Sequence, residues 1–223
     1  MTAIVGVERR PHPACYSAAV LAVMERHLPS EGLVLDPFAG TGRIHQLATA
    51  TRQTIGVELE PEWAAWHPDT LPGDATRLPF ADRSFDAIAT SPAYGNRMAD
   101  HHEAKDDSRR HTYRHTLGRP LHRNNAGALQ WGDRYRVVHW FAWLEAVRVL
   151  RPGGRLVVNV SDHFRKGQLQ PVARWHLEIL EALGLFCLAV EEVPTPRLRH
   201  GANGGLRADH EIVAVFTKGI PGD

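Results

Sequence analysis

Four short strings in this sequence set chemically capable groups at regular intervals. They are Asp36-Pro37-Phe38-Ala39-Gly40-Thr41-Gly42, Gly56-Val57-Glu58, Gly73-Asp74-Ala75 and Ser91-Pro92-Ala93-Tyr94. A loop with glycines lets the backbone approach a nucleotide-like ligand, because no Cβ stands in the way. An acid about 20 residues beyond such a loop can accept two hydrogen bonds from a ribose diol. Glu58 has that spacing from Asp36, and Glu60 is a nearby competitor that fits the strand end less well. Two better-known glycine loops are excluded. A dinucleotide fingerprint wants a third glycine at position 45, which is His45, and a P-loop wants Gly-Lys-Ser/Thr, which does not follow.

Each string falls where a strand is expected to end. Leu33-Val34-Leu35 is a buried-strand run ending on Asp36, and Thr54 to Leu59 a second one ending on acids. A short third strand precedes Gly73, and Phe85 to Thr90 leads into Ser91. Helices are expected at Ala14 to Leu28, from the spacing of Val20, Leu21, Met24 and Leu28, then at Ile44 to Thr51 and Pro61 to Trp66. Beyond a polar stretch, Val137 to Leu150 reads as a strong helix, Arg155 to Val160 as a fifth strand and Leu169 to Leu183 as a helix ended by Gly184. Leu185 to Val193 and Glu211 to Thr217 are the last strands. Alternating strands and helices predict an α/β domain with a mostly parallel sheet and helices on both faces. Ligands of such sheets lie at the carboxyl ends of the strands, where Asp36, Glu58, Asp74 and Ser91 all fall.

The full string Asp-Pro-Phe-x-Gly-x-Gly resembles motif I of the amino-group (N4-cytosine and N6-adenine) S-adenosylmethionine-dependent DNA methyltransferases. Ser91-Pro92-Ala93-Tyr94 resembles their motif IV, whose usual form is Asp/Asn/Ser-Pro-Pro-aromatic. The resemblance implies a Rossmann-like class I methyltransferase fold, a seven-stranded sheet of order 3-2-1-4-5-7-6. It implies S-adenosylmethionine as cofactor, held by Asp36, Pro37, Phe38, Ala39, Gly40 and Gly42, by Glu58 on the ribose, and by Asp74 and Ala75 at the adenine. An exocyclic amine is a poor nucleophile because its lone pair is delocalised into the ring. By the resemblance, the Ser91 side-chain oxygen and the Pro92 carbonyl each accept one amine hydrogen and so localise the lone pair, while Tyr94 stacks on the extruded base. Ala93 departs from the pattern and removes the rigidity of a Pro-Pro pair. Serine in the first place favours cytosine N4 over adenine N6. Cytosine C5 chemistry needs a cysteine nucleophile in the catalytic loop, and Cys15 and Cys187 are both far from it. His12-Pro13 and the helix after it resemble motif X.

The implied partner is DNA, with RNA less favoured. Similar motifs serve RNA-base and protein N-methyltransferases, and a nucleic-acid-binding module without catalysis is a further alternative. Net charge is +1 and names no partner, but Gly95 to Arg136 holds nine Lys/Arg against five acids. This 95–136 insertion follows the catalytic loop and is expected to grip phosphates through Arg97, Arg109, Arg110 and Arg114. Tyr113, Trp131 and Tyr135 are candidates to stack on bases. Arg197 and Arg199 sit in the late loop on the same rim. The histidines at 101, 102, 111 and 115 have no diagnostic metal spacing, and no metal is expected. A length of 223 residues suits a single domain, 1–223. Two cysteines, no signal-peptide pattern and no long apolar run predict a cytoplasmic protein without a membrane span.

Overall fold

The computed structural model describes residues 17–95, 113–195 and 208–219. In chain order the elements are α1 (Ala18–His27), β1 (Gly32–Asp36), a 3-10 helix (Arg43–Leu47), β2 (Arg52–Glu58), α2 (Pro61–Ala64), β3 (Thr70–Pro72) and β4 (Phe85–Thr90). Then come α3 (Tyr113–Leu117), a 3-10 turn (Ala126–Ala128), α4 (Asp133–Val149), β5 (Leu150–Val160), β6 (His163–Arg165), β7 (Gln168–Gln170), α5 (Val172–Ala182), β8 (Leu185–Pro194) and β9 (His210–Lys218).

The main sheet has the order β3-β2-β1-β4-β5-β9-β8. Its first five strands are parallel, and β9 runs antiparallel between β5 and β8. This is the expected order, the last two strands being renumbered by the small β6–β7 hairpin. Side chains alternate between two cores, as a sheet covered on both faces requires. Val34, Ala87, Ala89, Val157, Val213 and Val215 pack with α1 on one face. Leu35, Ile88, Leu156, Val158, Ala214 and Phe216 pack with α4 and α5 on the other. Among the described residues no helix is long and apolar enough to cross a membrane.

The fifth strand starts at Leu150 instead of Arg155 and the helix before it at Asp133 instead of Val137, and two expected helices are cut short. The helix read at Ile44–Thr51 shrinks to a 3-10 helix ending at Leu47, because the Thr49 hydroxyl accepts from the backbone N–H groups of Thr51 and Arg52 and closes a turn instead. The helix read from Leu169 starts at Val172. Lys166 and Gly167 both adopt positive φ (51° and 75°), which makes a tight hairpin turn of the residues before Pro171.

Candidate functional site

The glycine loop leaves β1 at Asp36, which is fully buried. Asp36 Oδ1 accepts from the Phe38 N–H at 3.0 Å and from the Thr90 hydroxyl at 2.6 Å. Thr90 immediately precedes Ser91, so one carboxylate oxygen ties the glycine loop to the Ser-Pro loop. Pro37 is buried beside it, and Phe38 stacks on His139 of α4 with 5.5 Å between ring centres. Gly40 and Gly42 take positive φ (54° and 81°), a conformation that side chains strain. A Cβ on Gly56 would stand 2.7 Å from that of Ala39, so the glycine in β2 lets the loop lie close over the strand.

Glu58 ends β2 beneath this loop. Its carboxylate accepts from the backbone N–H groups of Gly40 (2.9 Å) and Glu60 (2.8 Å). Burial outweighs those two bonds and pushes its pKa up from 4.5 to about 7, with Glu60 and Asp36 adding like-charge repulsion. Asp74 follows β3, and its Oδ1 accepts from the Thr76 N–H (2.9 Å) and hydroxyl (2.7 Å) while Ala75 is buried. Asp36, Glu58 and Asp74 thus come together at the carboxyl edge of adjacent strands.

Behind the loop, the ring of His45 stacks on that of His67 at 3.7 Å, and its two nitrogens meet the hydroxyls of Thr54 (2.9 Å) and Thr70 (2.8 Å). Burial holds His45 down to about 4, so the ring is neutral.

The Ser91–Tyr94 loop carries a polar network. Ser91 Oγ lies 2.9 Å from the Tyr94 hydroxyl. The Asn159 amide nitrogen, on β5, lies within hydrogen-bond distance of Ser91 Oγ (3.2 Å), Tyr94 Oη (2.8 Å) and Glu211 Oε2 (2.8 Å), and Glu211 projects from β9. Pro92 is buried. Ala93 is anchored from outside the loop. The Tyr135 hydroxyl, on α4, donates to the Ala93 carbonyl at 2.6 Å. Tyr135 Oη also meets His176 Nε2 at 2.8 Å, and His176 Nδ1 accepts from the Trp143 indole at 3.0 Å. An indole only donates, so Nδ1 is the unprotonated nitrogen and Nε2 carries the hydrogen. Burial holds the His176 pKa well below 6.5, in keeping with that neutral form. The chain Trp143, His176, Tyr135, Ala93 is a buried brace on the loop that lacks its second proline, and the Trp131 N–H adds a bond to the Gly95 carbonyl at 2.8 Å.

The insertion docks on the glycine-loop side. Glu60, fully buried, accepts from the His122 N–H and the Asn125 amide through Oε1, both at 2.8 Å. Arg119 lies 2.7 Å from Glu60 Oε2 and also pairs with Glu62. Among the described residues two of the segment's basic residues are engaged by acids, Arg119 here and Arg136, which pairs with Asp133 at 3.2 Å. Glu60, read as a rival to Glu58, is the anchor of this segment.

Of the aromatics expected to stack on bases, the three in the insertion are core residues instead. Tyr135 is fully buried, and Tyr113 and Trp131 are nearly so. Tyr113 meets Trp63 edge-on, and Trp131 packs against Tyr135 and Trp175. Arg114 lies within α3. Arg97, Arg109, Arg110, Arg197 and Arg199 lie outside the described residues, as do His12-Pro13 and the histidines at 101, 102 and 111.

Sequence reasoning missed Thr90, His176 and Glu211, and read Tyr135 as a base-stacking aromatic instead of the brace on Ala93. The readable signal for Glu211 was an acid leading an otherwise apolar strand, Ile212-Val213-Ala214-Val215-Phe216. No local pattern marks His176, whose role arises from packing between two helices.

No protein-family model matches the sequence, and no curated protein matches it. Solved structures do match in fold. An S-adenosylmethionine-dependent methyltransferase from Methanosarcina mazei is 12% identical, with 89% of this chain and 97% of that chain covered and a TM-score of 0.55. The 1,6-didemethyltoxoflavin-N1-methyltransferase of Burkholderia thailandensis, solved with S-adenosylhomocysteine bound, is 18% identical over 91% of this chain and 79% of that one, with a TM-score of 0.52. The cyclase SpnF gives 19% identity, 89% and 80% coverage, and a TM-score of 0.57. One fold thus hosts different activities. The chain has the Rossmann-like fold found in class I S-adenosylmethionine-dependent methyltransferases.

Proposed function

We propose that the protein transfers a methyl group from S-adenosylmethionine to an exocyclic amino group of a base in DNA, cytosine N4 being favoured over adenine N6. The observation that carries this reading is the Asp36–Thr90 hydrogen bond, which sets the glycine loop directly against the Ser91-Pro92-Ala93-Tyr94 loop. The acid set fits the cofactor. Each oxygen of the Glu58 carboxylate keeps a lone pair beyond its backbone bond and can accept a ribose hydroxyl. Asp36 and Asp74 supply acceptors on either side of it.

When bound, S-adenosylmethionine supplies a methyl carried on a sulfonium. The chain's part is to place the amine and prepare it. Ser91 Oγ accepts one amine hydrogen and the Pro92 carbonyl the other, so the nitrogen lone pair turns out of the base plane and faces the methyl. The N–CH3 bond forms as the S–CH3 bond breaks, and the amine gives up one proton to solvent. Binding and transfer separate the roles. Asp36→Ala is expected to abolish cofactor binding by calorimetry, whereas Ser91→Ala keeps binding within about twofold and slows transfer by about a hundredfold. Equal loss of both in Ser91→Ala refutes the role given to Ser91.

A further inference from the structure

Helix α4 is apolar on two sides. Tyr135, His139, Trp143 and Ala146 face inward and are buried. A surface helix ordinarily turns a polar face to water opposite such a stripe. Here Val137, Trp140, Phe141 and Leu144 fall there instead, and they are 54%, 38%, 51% and 39% exposed. Spacings of three, four and seven residues set them in one row along the helix, within about 100° of arc. Single exposed apolar residues are ordinary, but a contiguous row holding a tryptophan and a phenylalanine marks a contact surface.

The row is nearly a palindrome. About a point between Trp140 and Phe141, Val137 mirrors Leu144. A two-fold axis through that point, normal to the helix, lays α4 antiparallel on α4 of a second copy and makes every contact twice. Trp140 then meets Phe141 of the second copy, an aromatic pair, and Val137 meets its Leu144. Charge chooses the same direction. Arg134, exposed, and Glu145, partly exposed, lie on one flank of the row, near opposite ends. Glu145 Oε1 accepts from Arg148 Nε at 2.8 Å and keeps a second lone pair. Antiparallel helices oppose like flanks, so Arg134 of each copy faces Glu145 of the other. A parallel pair opposes unlike flanks and sets Arg134 against Arg136.

We propose that the exposed row of α4 is a two-fold interface, on which a second copy of this chain packs antiparallel with Trp140 on Phe141 and Val137 on Leu144. One helix face is smaller than the about 800 Å2 that each side of a standard interface contributes, so the dimer dissociates at micromolar concentration. The row contains no residue of the glycine loop or the Ser91 loop, and the dimer stands or falls apart from the reaction.

Sedimentation equilibrium of the full chain from about 2 to about 200 μM should show monomer passing to dimer. Val137→Glu and Leu144→Lys change exposed helix positions, so both variants should unfold in urea as wild type does. Each alone should weaken self-association by about tenfold or more. Mixing the two variants, one of them fluorescently labelled, tests the register. In the antiparallel pair the new carboxylate meets the new ammonium at one contact, and Leu144 meets Val137 at the other. The two variants should therefore associate with each other more tightly than either does with itself. A parallel pair opposes position 137 with 137 and 144 with 144, so mixing restores nothing there. Wild-type protein that stays monomeric throughout overturns the proposal, as do oligomers that keep growing beyond the dimer. A dimer that both variants leave intact overturns it too, and so does a mixture that associates no better than the variants alone.

Discussion

Glu58→Gln should make the cofactor-free protein more stable at pH 8 and change it little at pH 5. A carboxyl whose pKa rises on folding binds its proton more tightly in the fold. The stability it confers is complete below 4.5 and is lost as the pH climbs through about 7. The gap between those two values corresponds to about 3 kcal/mol, and Glu58 is only 8% exposed, so solvent screening takes little from it. Protonated Glu and Gln are near-isosteres. Gln keeps one acceptor for Gly40 or Glu60 and loses the other, at about 1 kcal/mol. The difference in unfolding free energy should therefore move by about 2–3 kcal/mol in favour of Glu58→Gln between pH 5 and pH 8. His45 and His139 act in the opposite sense. Burial holds both down to about 4, so their contribution is present above 6.5 and is lost as the pH falls toward 4. Both proteins keep these histidines, and the effect cancels in the difference. Urea unfolding of the two proteins at four pH values between 5 and 8 is the assay. Parallel stability curves across that range would refute the reasoning. The same substitution should weaken S-adenosylmethionine binding, because an amide accepts from a ribose diol through one oxygen instead of two.

The brace and the insertion give further tests. Tyr135→Phe strands the Ala93 carbonyl and the His176 Nε2–H in the core, which should cost about 1–3 kcal/mol of stability. In methyl-transfer assays it should lower kcat while leaving cofactor affinity unchanged, and unchanged kcat would show that the Ala93 bond does not position the loop. Glu60→Ala removes the shared acceptor of His122 and Asn125, at about 2–3 kcal/mol of local stability. Hydrogen exchange should then speed up across residues 113–132 and stay unchanged in β1 and β4. Protection preserved in 113–132 would show that other contacts anchor the segment.

The strand ends were legible because each is announced twice, by an apolar run and by the acid or Ser-Pro that stops it. Asp36, Glu58 and Ser91 needed no contacts to be found. The sheet order came from the resemblance and agrees with the strands observed. What was hidden depends on packing across the sequence. Tyr135 and Trp131 lie among arginines and read as a surface for bases, yet the apolar contacts of Leu129, Val172 and Trp175 draw them inward. Glu60 looked like an alternative to Glu58 because both follow one strand. Only the fold shows that Glu58 faces the glycine loop while Glu60 faces the insertion. The Thr49 turn and the Lys166-Gly167 hairpin were misread for a local reason, since side-chain hydrogen bonds and positive φ overrode a helical pattern of apolar residues.

The central claim is amine methylation by the paired loops. Labelled S-adenosylmethionine is incubated with the protein and unmethylated DNA, and the DNA is digested to nucleosides and separated. Label in N4-methylcytosine, or in N6-methyladenine, is the predicted result, with none in 5-methylcytosine. Demonstrated cofactor binding with no label in either amino-methylated nucleoside would contradict it.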